Sequence, residues 1–154
     1  MPRTSAGILL YRRCNAELEV FLVHPGGPFW TKKDAGAWSI PKGEYEPGED
    51  PLDAARREFE EEIGTPPPGG HFIGLGEITQ KSGKIVTAWA LEGDCDAAAI
   101  RSNSFTMEWP PKSGKMQEFP EVDRAGWLTL DDARKKLIES QHPFLDRLAA
   151  AMNK

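Results

Sequence analysis

Three glutamates at the end of one helical segment break the rules that favour an isolated helix. Residues 50–63 carry Leu52, Ala55, Phe59 and Ile63 at helical spacing, an apolar stripe. Asp50 suits the N-cap, Pro51 the first turn and Gly64 the stop. At about 100° per residue, Glu58, Glu61 and Glu62 fall in an arc of roughly 100°. Glu58 and Glu62 form a like-charged i,i+4 pair, and Glu60–Glu62 lie at the end where the helix dipole disfavours anions. A helix selected for stability alone would carry Lys or Arg there. A divalent cation resolves the conflict. Carboxylates are hard oxygen ligands suited to Mg²⁺ or Mn²⁺, and no His or Cys lies among them to suggest zinc. A solvated acidic face is the alternative that the helix alone leaves open.

The surrounding spacing decides between them. Gly43, five residues, Glu49, seven residues, then Arg57-Glu58-Phe59-Glu60-Glu61-Glu62-Ile63-Gly64-Thr65 resembles the box of the Nudix hydrolases. All seven fixed residues match; a chance match in a chain of this length is on the order of one in a million. Phe59 replaces an aliphatic residue, and so does Thr65; neither change removes a carboxylate. WSIPKGE (38–44) is similar to the entry into the box in many members, and EVDRAGWLTLDDAR (121–134) resembles their closing segment.

The resemblance implies an α/β fold, the Nudix-type α/β/α sandwich with a mixed sheet, in a single domain over 1–154 with the box at 43–65. It also implies hydrolysis of a nucleoside diphosphate linked to another group, with water attacking phosphorus. It puts metal on Glu61 and Glu62, on the Gly43 carbonyl, and on Glu58, which is either a further ligand or the general base. Glu49 and Arg57 support that shell, Arg57 by holding a glutamate in place. Glu121 is a candidate fourth carboxylate and base, with Glu118 the fallback. Lys42, Tyr45 and Trp109 are candidate substrate contacts. Tyr45 either lines the pocket or packs, and Trp109 either stacks on a base or covers the core.

The elements that must position these residues are legible as well. Residues 4–13 and 18–24 read as strands joined by a turn at CNAE. WSIP (38–41) reads as a short strand, and 71–80 and 84–91 as a second hairpin. Residues 93–120 read as irregular, 129–139 as a helix, and about 142–152 as a terminal helix with Pro143 in its first turn. This order favours a mixed sheet with helices on both faces.

Composition sets the outer bounds. The 154 residues suffice for a core without a disulfide or structural metal. Net charge is −5, which argues against a dedicated nucleic-acid binder and leaves RNA 5′ ends as the one nucleic-acid partner in view. Cys14 and Cys95 have no metal-type spacing and read as small buried groups in a reducing compartment. No apolar run spans a membrane, and the N-terminal apolar stretch is too short for a signal peptide, so cytoplasm is the expected location. The expected partner is a small nucleotide, with a second copy of the chain a further candidate. Dinucleoside polyphosphates and nucleoside triphosphates lead among substrates. Nucleotide sugars, ADP-ribose and RNA 5′ ends follow. A Nudix module that binds without cleaving is the competing class, and the retained carboxylates weigh against it.

Overall fold

The computed structural model describes residues 3–153. Its main sheet is built on β1 (Thr4–Cys14), with strand order β4-β5-β1-β2-β8. Here β2 is Glu17–Pro25, β4 Phe72–Thr79, β5 Ile85–Glu92 and β8 Val122–Thr129. The β1–β5 pair is parallel and the other pairs are antiparallel, so the sheet is mixed. A short β3 (Lys42–Glu44) pairs with the start of β1. Among the described residues, no helix is long and apolar enough to cross a membrane.

Strand alternation builds two cores. Leu9 and Tyr11 of β1, with Val20 and Leu22 of β2, face one side. There they meet Ala133 of α2 (Leu130–Lys136) and Phe144, Leu145 and Leu148 of α3 (His142–Met152). Ala6, Ile8 and Leu10, with Phe21 and Val23, face the other side. They pack on Ala54, Ala55, Phe59 and Ile63 of α1 (Pro51–Ile63). The result is an α/β/α sandwich in which Ala55, Phe59 and Ile63 of the α1 stripe are used for packing and Leu52 is partly exposed. The α1 carboxylates are thereby turned to one edge.

Four sequence expectations need correction. WSIP makes no strand, only two isolated bridges. Ser39 bonds to Val23, whereas Trp38 bonds to Lys136 and Ile138, so adjacent residues serve different partners and no ladder forms. Residues 93–120 are not wholly irregular: β6 (Ser104–Glu108) and β7 (Met116–Pro120) form a separate two-stranded hairpin. The helix expected over 129–139 ends at Lys136, because the Ile138 N–H donates instead to the Trp38 carbonyl. Finally, Cys14 is exposed in the β1–β2 turn region and Cys95 is half-buried, so neither is a fully buried group.

Candidate active site

Local sequence fixes both ends of α1. The Asp53 N–H donates to the Asp50 carboxylate at 3.0 Å, and Gly64 closes the helix in the left-handed region at φ 95°. The C-terminal carbonyls find partners in a crossing loop. The Arg101 N–H donates to Ile63 and the Asn103 N–H to Glu61, each at 2.8 Å. Asn103 in turn accepts from the Glu121 N–H at 2.8 Å, and the Glu121 carbonyl accepts from the Gly26 N–H at 2.9 Å. This backbone relay attaches Glu121 to the carboxylate end of α1. An added Cβ on Gly26 would lie 2.0 Å from the Pro120 carbonyl oxygen, so only glycine allows that approach.

Gly43 has a related role. A Cβ there would lie 2.0 Å from a Glu58 carboxylate oxygen. The bare backbone of β3 is therefore the surface against which Glu58 rests. Arg57 stands between two glutamates, 3.4 Å from Glu49 and 3.4 Å from Glu58, and also reaches the Glu44 carbonyl. Glu62 is only 9% exposed and faces Lys42. Lys42, Glu62 and Glu121 line one cavity of about 160 Å³, floored by Val23, Ile40 and Val122.

The electrostatics show how costly this arrangement is. Burial pushes Glu58 up to about 7, helped by the charge of Glu61 and opposed by Arg57. Burial pushes Glu62 up to about 8 against the attraction of Lys42, with Glu58 and Glu121 adding repulsion. Glu121 is also raised, by burial and by Glu61. Lys42 is lowered, by burial first and then by Lys84, although the glutamates around it pull the other way. Four carboxylates, three from α1 and one from the β7–β8 junction, thus share one field.

Every donor in this set is a hard oxygen, as Mg²⁺ or Mn²⁺ requires. Among the described residues, no three His, Cys, Asp or Glu side chains already surround a common point. Like charges do not converge without a counter-charge, so the set fits a divalent cation by its chemistry and by its raised carboxylates.

A stability prediction follows from the sign of these shifts. Glu58 and Glu62 bind protons more tightly folded than unfolded. Metal-free protein should therefore lose stability as pH rises from about 4.5 towards 8, across the range between the usual carboxylate value and the two raised ones. Millimolar Mg²⁺ should restore it at pH 8 and do little at pH 4.5. Thermal melts with chelator and with Mg²⁺ check this; a flat metal-free profile would contradict it.

The other sequence candidates are placed differently. Tyr45 packs against the α1-side core, and its N–H donates to Thr4. Trp109 lies at the tip of the β6–β7 hairpin, edge-on to Phe29 with ring centroids 5.4 Å apart. Glu118 is exposed on β7. Sequence reasoning missed Gly26 and the Asn103 backbone, and read His24 as an ordinary structural residue. The His24 ring is fully buried, with Nδ1 2.8 Å from Asp123 and Nε2 donating to the Lys33 carbonyl at 2.6 Å. It ties the 25–37 loop to β8. Asp123 is remote in sequence and Lys33 contributes only its backbone carbonyl, so no spacing rule signals the arrangement.

The α/β/α sandwich carries its carboxylates at one edge, where the sequence places the box expected of a phosphoanhydride hydrolase. The NUDIX domain model matches residues 1–148, and the chain belongs to the Nudix family. No curated protein is significantly similar in sequence. Among solved structures, the chain is similar to a C. elegans Ap4A hydrolase in a binary complex, at 22% identity and TM-score 0.67 over 98% of each chain. It is similar to the NUDIX domain of Shewanella oneidensis NrtR complexed with ADP ribose, at 15% identity and TM-score 0.66, over 99% of this chain and 89% of that one. It is also similar to a MutT protein from Methanosarcina mazei Go1, at 19% identity and TM-score 0.63, over 99% and 97%. At these identities the likeness is one of fold.

Proposed function

We propose that the protein is a divalent-cation-dependent pyrophosphohydrolase of nucleoside polyphosphates, with dinucleoside polyphosphates and nucleoside triphosphates as the preferred classes. The observation that carries this is the placing of Glu58, Glu61, Glu62 and Glu121 along one edge, with three of them raised by burial and repulsion between them. Glu58, Glu61, Glu62 and the Gly43 carbonyl are the groups that would hold the cation. When bound, Mg²⁺ or Mn²⁺ supplies charge neutralisation at the phosphate oxygens and acidifies water.

The chain's own residues do the rest. Arg57, braced by Glu49, holds the Glu58 carboxylate against Gly43. Glu58 is thereby tied on two sides, which suits a fixed ligand. Glu121 forms no ion pair among the described residues and stands on an opposing corner, which suits a group that accepts a proton from water. Of the bases expected from sequence, this favours Glu121 over Glu58. Lys42, in the shared cavity, is placed to meet a phosphate oxygen.

The test is a Mg²⁺-dependent hydrolysis screen. It covers nucleoside triphosphates, dinucleoside polyphosphates, nucleotide sugars, ADP-ribose and 5′-triphosphate RNA, with Glu61→Gln as control. Cleavage of a nucleoside polyphosphate by the wild type, and not by the variant, is the expected result. Saturable nucleotide binding with no phosphate-containing product would instead identify a binding module.

A further inference from the structure

The β6–β7 hairpin and the 25–37 loop carry the exposed aromatic surface of this chain. Phe29 is 58% exposed and Trp30 38%, and neither is needed by the core. The Phe29 and Trp109 rings meet edge to face at 80°. Lys33 lies 5.0 Å above the Trp30 ring. Lys112 and Lys115 flank Trp109 at the hairpin tip. None of these three lysines forms an ion pair among the described residues. In a chain of net charge −5, this edge therefore combines flat apolar rings with free positive charge. Such a surface suits an anion that carries an aromatic ring system.

The presentation is firm. Trp38 Nε1 donates to Asp34 at 2.8 Å, and Asp34 also meets Lys136 and Arg124. With the His24 bond to the Lys33 carbonyl, this anchors the far end of the loop. Gly26 anchors the near end to Glu121, and the Phe105 ring of the hairpin lies against Gly27. Within the hairpin, the Glu108 carboxylate accepts from the Lys112 and Gly114 N–H groups, and Gln117 Nε2 donates to the Trp109 carbonyl. The loop tip and the hairpin tip are thus held from both sides.

Position then narrows the ligand. From the Ser104–Pro120 pair, beside Glu121, the hairpin runs five residues to Trp109, about 17 Å at the usual strand rise. The base of a nucleotide whose own α-phosphate sits at the carboxylates does not reach that far. A nucleoside joined to it through several further phosphates does, and Lys112 and Lys115 stand at the end of that path.

Building on the hydrolase reading above, we propose that Phe29 and Trp109 form the platform for the distal nucleoside of a dinucleoside polyphosphate, with Lys33, Lys112 and Lys115 supplying positive charge beside it. The platform sets preference for a two-headed substrate over a single nucleotide.

Binding tests this independently of turnover. Dissociation constants are measured calorimetrically, with Mg²⁺, for non-hydrolysable methylene-bridged analogues of diadenosine tetraphosphate and of adenosine triphosphate. The proteins are wild type, Phe29→Leu and Trp109→Leu. Phe29 is mostly solvent-exposed, so its variant keeps the fold even where the tryptophan variant does not. The expected result is a preference for the two-headed analogue in the wild type that falls about 10-fold or more in each folded variant, the worth of one base–aromatic stack. Equal weakening of both analogues would place the proximal base on the platform and overturn the proposal. Unchanged affinities would also overturn it and leave the patch to another partner. If the ratio falls as expected while the wild type cleaves no nucleotide, the hydrolase reading fails and the platform stands.

Discussion

A Glu62→Gln variant is expected to hydrolyse its nucleotide about 10³-fold more slowly and yet to melt at a higher temperature than the wild type when both are metal-free at pH 9. The two effects share one cause. Glu62 is nearly buried, and its carboxyl is pushed up to about 8. At pH 9 the wild type must ionise it in a site that disfavours charge. The unfolded chain ionises the same group at the ordinary value of 4.5, so the folded state loses stability across the interval between them. Gln has nearly the same shape and never ionises. Losing the Glu62 charge also leaves Lys42 with less attraction, which opposes the gain. The upward shift of Glu62 shows that burial outweighs that attraction, so the net sign is stabilising. Mg²⁺ should reverse the ranking by raising the wild type more than the variant. Steady-state kinetics and melts at pH 4.5 and pH 9, with chelator and with Mg²⁺, check each part. A rate within tenfold of wild type would remove Glu62 from the machinery.

Gly43→Ala is expected to reduce kcat/KM by about 10²- to 10³-fold while shifting the melting temperature by only a few degrees. Gly43 is not among the glycines with positive φ, so alanine adopts its backbone without strain. Its β3 neighbours keep their pairing to Ser5 and Gly7. The three atoms nearest the new methyl all belong to the Glu58 carboxylate, with Oε2 at 2.0 Å and Cδ at 2.1 Å. A carboxylate at the end of a flexible side chain moves aside at little cost to folding. It then leaves the position where Arg57 holds it. Gly69→Ala is the control, because nothing lies within 4 Å of a Cβ there. A Gly43→Ala, Glu58→Asp double variant should recover part of the loss, since the shorter acid clears the methyl. Additive losses in that cycle would show that the two positions do not act through contact.

Most of the helix and half of the site were determined locally. Asp50, Pro51 and Gly64 set the limits of α1 through bonds to their immediate neighbours. Helical geometry alone put Glu58, Glu61 and Glu62 in one arc bordering the stripe of Ala55, Phe59 and Ile63, with Glu62 next to Ala55. The β1 and β2 strands were equally legible, because their alternation serves two cores. The β6–β7 hairpin was not. Periodicity signals a strand only over a long enough run: Ser104–Glu108 alternates for just five residues with Phe105 and Met107 half-buried, and in Met116–Pro120 only Phe119 is covered. WSIP misled for the opposite reason: its apolar residues are buried, but their backbones bond to three different segments.

What the sequence by itself determined, then, is the acidic face of α1 and the family it belongs to. Only the tertiary structure decided which remote groups join that face. Glu121 reaches it through backbone bonds relayed by Asn103, and such bonds carry no residue signature. Gly26 and Gly43 matter because other chain segments press against them, which no local spacing encodes. The raised carboxylates have the same origin. Charge density was visible in the string of glutamates, but burial, the largest cause of each shift, exists only once β3, α1 and the Glu121 corner are packed together.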